Sequence, residues 1–257
     1  MKPLHRCSCS ALALFCAWLA VAAPGRALEG GEILNKIDAV ISAPQDGTSK
    51  AVMTLIDKGG SQKERQLRLW TRYFKDKDDW SLTKFLYPPE VRDLGFLSLA
   101  DDKMYLYLPA FDRVRRIASH ARKESFAGSD LSNDDLSTGK YSRHYSATVK
   151  EETPSEYVLE LTRKPGSDRI YSRVVAWVNK QHFYVTKMEM FDEGESPWKS
   201  YEAEIRQIQS YWTPVRIQMI DLRKDHRTLL QMEDIKYDVG LKDDMFSERN
   251  LKRKVQE

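Results

Sequence analysis

From Lys50 to Val239 the chain alternates apolar and polar residues with a period of two, interrupted by short turns. That rhythm restricts it to a mainly β fold, because successive strand residues point to opposite faces. Leu67, Leu69 and Tyr73 fall on one side of a strand, and Arg68, Trp70 and Arg72 on the other. The pattern predicts strands over 52–56, 65–74, 80–86, 95–99, 103–108, 113–118, 141–151, 157–163, 172–179, 183–191, 200–211, 213–223 and 228–239. Lys58-Gly59-Gly60-Ser61, Asp101-Asp102 and Ala110-Phe111-Asp112 read as tight connections. Ahead of them, Ile33, Leu34, Ile37, Val40 and Ile41 recur at helical spacing and predict a helix over 30–42. Residues 119–139 are rich in Ser, Asp, Gly and charge and read as a long loop with one helical turn, and 242–251 as a short polar tail. Regular short strands joined by hairpins imply a single antiparallel sheet, curved or closed. With no linker-like tract and no internal repeat, we expect one β domain over 28–257.

The first 27 residues follow a different logic. Lys2 and Arg6 precede an uncharged apolar run from Ala11 to Ala23, and Gly25-Arg26-Ala27 places small residues at −3 and −1 of a cut after Ala27. These are the three parts of a secretory signal. The run is shorter than the roughly 20 apolar residues that span a bilayer. The expected location of the mature protein is the periplasm. Cys7, Cys9 and Cys16 all fall within this leader; Phe15 precedes Cys16, which lies mid-run, so no lipid attachment is expected there. The mature chain is then free of thiols, which excludes disulfides, thiol catalysis and cysteine metal sites. Loss of Lys2, Arg6 and Arg26 lowers the 41 basic residues to 38, level with the 38 acids. The precursor's net charge of +3 is therefore no argument for nucleic acid.

Signals for chemistry are sparse. His120, His144, His182 and His226 are far apart in sequence and form no zinc signature. There is no Gly-x-Ser-x-Gly elbow and no phosphate-binding glycine loop. Asp130, Asp134 and Asp135 lack the spacing of a calcium loop and read as solvated loop acids. No catalytic residue, metal or cofactor is expected. Arg113, Arg115 and Arg116 form a basic strand that either meets lipid headgroups or an acidic partner, or is the polar side of a half-buried strand. Trp70, Trp80, Trp177, Trp198, Trp212, Tyr73, Tyr105 and Tyr107 suit an ordinary β core or an apolar cavity inside a curved sheet. Candidate cavity rows are Leu67 and Leu69; Leu97 and Leu99; Met104, Leu106 and Leu108; and Val174, Ala176 and Val178. Period two groups each row without saying which faces the cavity and which packs on a helix. In the long loop, Phe126, Gly128, Ser129 and Asp130 are expected to gate that cavity or dock a partner; alternatively Asp130 caps a short helix ending near Leu136.

Several segments in order carry a family resemblance. They are Trp80-Ser81-Leu82-Thr83-Lys84-Phe85-Leu86-Tyr87-Pro88-Pro89, Gly95-Phe96-Leu97, Met104-Tyr105-Leu106-Tyr107-Leu108-Pro109-Ala110, Arg113-Val114-Arg115-Arg116-Ile117, Ser125-Phe126-Ala127-Gly128-Ser129-Asp130-Leu131, and Asp134-Asp135-Leu136. Together they resemble the outer-membrane lipoprotein-sorting proteins, a LolA-like group, and Phe246 to Leu251 resembles its C-terminal end. Asn133 departs from the pattern, where an aromatic residue is expected. The resemblance implies an incomplete, half-open β-barrel with covering helices and an apolar cavity, as in LolA and LolB. It implies a periplasmic carrier that binds lipid or lipoprotein acyl chains, touches membranes transiently and works beside an RND-type inner-membrane transporter. Two other classes fit the residues: an envelope hydrolase with dispersed catalytic groups, and a non-transporting accessory subunit of an exporter.

Overall fold

The computed structural model describes residues 28–100 and 103–255. The predicted leader, its three cysteines, the cut after Ala27 and the Asp101-Asp102 turn lie outside the described residues. Thirteen strands form one antiparallel sheet: β1 (Asp46–Ile56), β2 (Gln62–Arg72), β3 (Trp80–Tyr87), β4 (Gly95–Leu99), β5 (Lys103–Leu108), β6 (Arg113–Arg116), β7 (Tyr145–Glu152), β8 (Glu156–Arg163), β9 (Arg173–Asn179), β10 (Val185–Phe191), β11 (Pro197–Ile208), β12 (Tyr211–Asp221) and β13 (His226–Tyr237). Their spatial order is β6-β5-β4-β3-β2-β1-β13-β12-β11-β10-β9-β8-β7. Each wing is a run of consecutive hairpins, and the wings meet only where β1 pairs with β13, Met53 opposite Leu230. The sheet does not close: β6 and β7 are its two edges. The expected half-open β architecture is what forms.

That order explains the long break in the strand pattern. β6 and β7 are consecutive in sequence but lie at opposite ends of the sheet, so residues 117–144 must travel from one edge to the other. They do so across one face, here called the inner face. Ile117, Ala121, Phe126 and Leu131 sink into the main core with Phe85, Phe96, Met104, Leu159 and Val174. Helix α1 (Gly30–Ile41) covers the same face with Ile33, Leu34 and Ile37, all nearly inaccessible. Its capping box is complete, Glu29 and Glu32 each accepting the other's backbone N–H. Gly30 is required here: a Cβ would stand 2.3 Å from the Ala147 carbonyl oxygen on β7.

The outer face carries a smaller core of Leu82, Leu97, Tyr107, Phe246 and Leu251. It exists because the C-terminal segment is not the polar tail that its composition suggests. Residues Glu248–Lys252 form a short helix, α3, whose Leu251 is fully buried. Tyr141–His144, expected to open a strand, form a helical turn, α2, because the Asp38 carboxylate on α1 accepts the Tyr141 and Ser142 N–H groups, both at 2.9 Å. Among the described residues, no helix is long and apolar enough to cross a membrane.

Candidate functional site

Two adjoining chambers lie on the inner face. One, of about 330 Å³, is lined by apolar and aromatic side chains, among them Ile37, Leu69, Val185, Trp212 and Met232. The other, of about 430 Å³, combines an apolar wall of Val174, Met190, Ile217, Met219 and Leu230 with charged residues of the crossing segment. The chambers share six lining residues, Ile41, Thr71, Tyr73, Tyr141, Met188 and Tyr201, which form a waist between them. Alternation explains the lining: Leu69 and Thr71 on β2, and Tyr73 just past its end, follow one another at every second position, and on β13 Leu230 and Met232 do the same.

The charges beside the second chamber are held in pairs. Lys140 donates to Asp79 at 2.8 Å, and Asp79 also accepts from the Phe74 N–H at 2.8 Å and the Ser42 hydroxyl at 3.0 Å. Burial pushes the Asp79 carboxyl up; Lys140 and these donors oppose that push. Arg122 and Arg169 both donate to Asp134, at 2.7 and 3.3 Å. Asp135 accepts from Lys199 at 2.8 Å and from the Tyr171 hydroxyl at 2.7 Å. These links tie the crossing segment to the β8–β9 and β10–β11 regions. At the waist, burial pushes the Tyr141 hydroxyl up to about 12 and raises those of Tyr73 and Tyr201 further, so all three stay protonated at neutral pH.

The predicted site residues divide. Leu69 lines the first chamber and Val174 the second. Leu67, Met104, Ala176 and Val178 are buried in the inner core around them, with Leu106 packed against it, and Leu108 is half-buried at the end of β5. Leu97 and Leu99 are corrected: they face the other way, where α3 covers them. The half-barrel has two packed faces at this wing, and the row that meets the C-terminal helix looks the same in sequence as the row that meets a cavity. Trp70, Trp80, Tyr105 and Tyr107 belong to that outer core as well.

The crossing segment also differs from expectation. Phe126 is 2 % exposed and sits between Phe85 and Phe96, ring centroids 5.5 and 5.6 Å away, so it is a core residue and not a plug at a mouth. Gly128 does take up positive φ, +75°, and the neighbouring Ala127 carbonyl accepts from Arg65 on β2. Ser129 donates to the Phe126 carbonyl at 2.7 Å. Asp130 caps no helix, for none forms between 122 and 140. It is buried, 2.7 Å from the Thr228 hydroxyl and 2.6 Å from His226 Nδ1 on β13. Asp130 and Asp134, expected to be solvated, are both buried in such pairings. Sequence reading missed these pairs because each joins residues far apart in the chain. Arg113, Arg115 and Arg116 are exposed on edge strand β6. No group of three or more metal-ligating side chains occurs among the described residues.

Residues 77–253 match a family model described as "Uncharacterized protein". No curated protein matches the chain. Among solved structures, the chain is similar to a DUF1329 family protein from Desulfovibrio piger, with 30% identity, TM-score 0.81, and 86% of this chain and 97% of that chain covered. It is similar to an outer membrane lipoprotein-sorting protein domain from Vibrio parahaemolyticus, with 26% identity, TM-score 0.80, and 87% and 98% covered. A LolA superfamily protein from Nitrosomonas europaea shares the fold at 19% identity, TM-score 0.71, with 87% and 100% covered.

Proposed function

The chain belongs to the LolA-like family of the DUF1329 and outer-membrane lipoprotein-sorting proteins, and from that premise we propose that it is a periplasmic carrier of lipid or lipoprotein acyl chains. The observation that carries this reading is the first chamber: about 330 Å³ of space, open on one side and lined mainly by apolar and aromatic side chains, between α1 and the sheet. Exposing a hydrocarbon tail to water costs about 0.8 kcal/mol per methylene. An apolar cavity of about 150 Å³ holds a benzene ring, so a chamber of twice that size suits a tail of about a dozen carbons. Movement between the inner and outer membranes, transient contact with each, and partnership with an RND-type transporter complete the reading. Family resemblance supports these parts. Carriage without chemistry also fits the fixed pairing of the charged groups beside the second chamber, which leaves Lys140 and Asp79 engaged with each other.

Native mass spectrometry of protein purified from the periplasm tests the reading. We expect a co-purifying lipid, and saturable binding of an apolar dye by the delipidated protein that a fatty acid reverses. Delipidated protein that shows no saturable binding overturns it.

A further inference from the structure

At one corner of the sheet, an aromatic side chain stands in solvent beside cations that have no counter-ion. Phe111, in the turn between β5 and β6, is 76 % exposed, more than any other bulky apolar side chain among the described residues. Arg113, Arg115 and Arg116 follow it on edge strand β6. All three are exposed, and none of their side chains has an ion-pair or hydrogen-bond partner among the described residues. Arginines elsewhere on the surface are engaged: Arg163 pairs with Glu193 at 2.7 Å and Arg173 with Glu195 at 2.6 Å. The acid inside the patch, Asp112, faces Lys252 at 3.3 Å, so it does not cancel the arginines.

Charge on an open edge discourages strand pairing. Edge protection accounts for the arginines, but it gives no role to a phenylalanine left three-quarters in water beside them. Register narrows the partner. Residues directly opposite one another on paired strands share a face. Arg116 lies opposite Tyr105, of the outer core, and Arg115 opposite Leu106, which packs on the inner core. The cations therefore fan to both sides of the edge, where no flat protein surface meets them together. A docked strand is no better match, because β6 has four residues and strands commonly need about five or six. A headgroup layer is deformable, surrounds what enters it and is apolar beneath. Arg113 and Arg116 lie about 10 Å apart along the strand, close to one screening length at physiological salt, so all three arginines sense the same surface.

We propose that the β5–β6 corner is a bilayer-docking surface: Phe111 enters the acyl boundary of an anionic membrane, and Arg113, Arg115 and Arg116 take its lipid phosphates. Guanidinium groups suit this because they bind phosphate oxygens bidentately. The assignment rests on the carrier reading for its purpose and gives the membrane contact in that reading a location; the chambers take no part in it.

The test is co-sedimentation of the protein with vesicles of phosphatidylcholine and phosphatidylglycerol in equal parts, and of phosphatidylcholine alone. Wild type is compared with Phe111→Ala, with Arg113→Gln, Arg115→Gln and Arg116→Gln combined, and with Arg216→Gln at an exposed site on β12. Wild type should prefer the mixed vesicles, less so as salt rises. Phe111→Ala should weaken that binding about tenfold. The triple variant should weaken it about a hundredfold, roughly fivefold for each arginine, and Arg216→Gln should leave it unchanged. Thermal melts should coincide, since these side chains hold nothing in the fold. NBD attached at Phe111→Cys should brighten and shift to the blue on the mixed vesicles. Mixed vesicles bound equally by wild type and either patch variant, or no better than phosphatidylcholine alone, overturn the assignment and leave the carrier reading intact. A wild type that ignores vesicles but is held by polyglutamate through the same arginines also overturns it, in favour of an acidic protein partner. A delipidated wild type that docks on the mixed vesicles yet binds no apolar dye overturns the carrier reading and leaves the surface.

Discussion

Lys84 shows how a single buried side chain sets a pH response. It is 1 % exposed on β3, donates to the Arg253 carbonyl at 2.7 Å and lies 5.3 Å from the Tyr107 ring centre. Burial, partly offset by Asp93, holds its ammonium down to about 8, against an ordinary 10.5. The folded chain thus releases this proton earlier than the unfolded one. Between about pH 8 and 10 the unfolded state binds the extra proton, so stability rises with pH; below pH 8 the fold carries the cost of a buried charge. Above pH 10 the sign reverses, because burial raises Tyr73, Tyr145, Tyr171 and Tyr201 and the unfolded tyrosines ionise first. Urea unfolding of wild type at pH 7, 8, 9 and 10 should show the rise, and Lys84→Met should flatten it. The same slope in both proteins would rule Lys84 out as its source.

At the scale of elements, the docking of α1 is decided at its first residue. Alanine is normally better than glycine inside a helix, by about 1 kcal/mol. At Gly30 we expect the opposite, because a methyl group would collide with the Ala147 carbonyl and push α1 off β7. Gly30→Ala should lower the melting temperature, while Gly31→Ala, where a Cβ meets nothing within 4 Å, should raise it or leave it unchanged. Destabilisation of equal size at both positions would defeat this account. Such docking contacts mark the limit of what was legible in the residues. Period two located every strand, and helical spacing located α1, because those patterns are local. The segment from Ser119 onward announced itself as a long break, but its path across the inner face follows from the placement of β6 and β7 at opposite edges, which no local pattern encodes. Period two groups Leu97 with Leu99 but leaves their side open for the same reason: Leu251, in the outer core they join, is more than a hundred positions away in the chain.

At the scale of the molecule, two hairpin runs depend on one long-range junction. Local hairpins form early and non-local pairings late, because loop closure must precede the contacts that reward it. Met53, 1 % exposed and opposite Leu230, sits in that junction. If that junction forms at the barrier, we expect Met53→Ala to slow refolding and to leave the unfolding rate nearly unchanged. Stopped-flow measurement in urea checks this, and a Met53→Ala protein that refolds at the wild-type rate and unfolds faster would place the junction after the barrier. The strand partner of β1 is also the last to be made. Ile56 has passed long before Arg227, its partner, exists. At about 5–20 residues per second of synthesis, the delay is of order ten to thirty seconds. Throughout it, the strand that ends at the centre of the sheet is a naked edge, with unpaired backbone donors and acceptors open to any passing chain. A chain halted before His226 would keep that edge for good and should aggregate, however well its first six strands have folded.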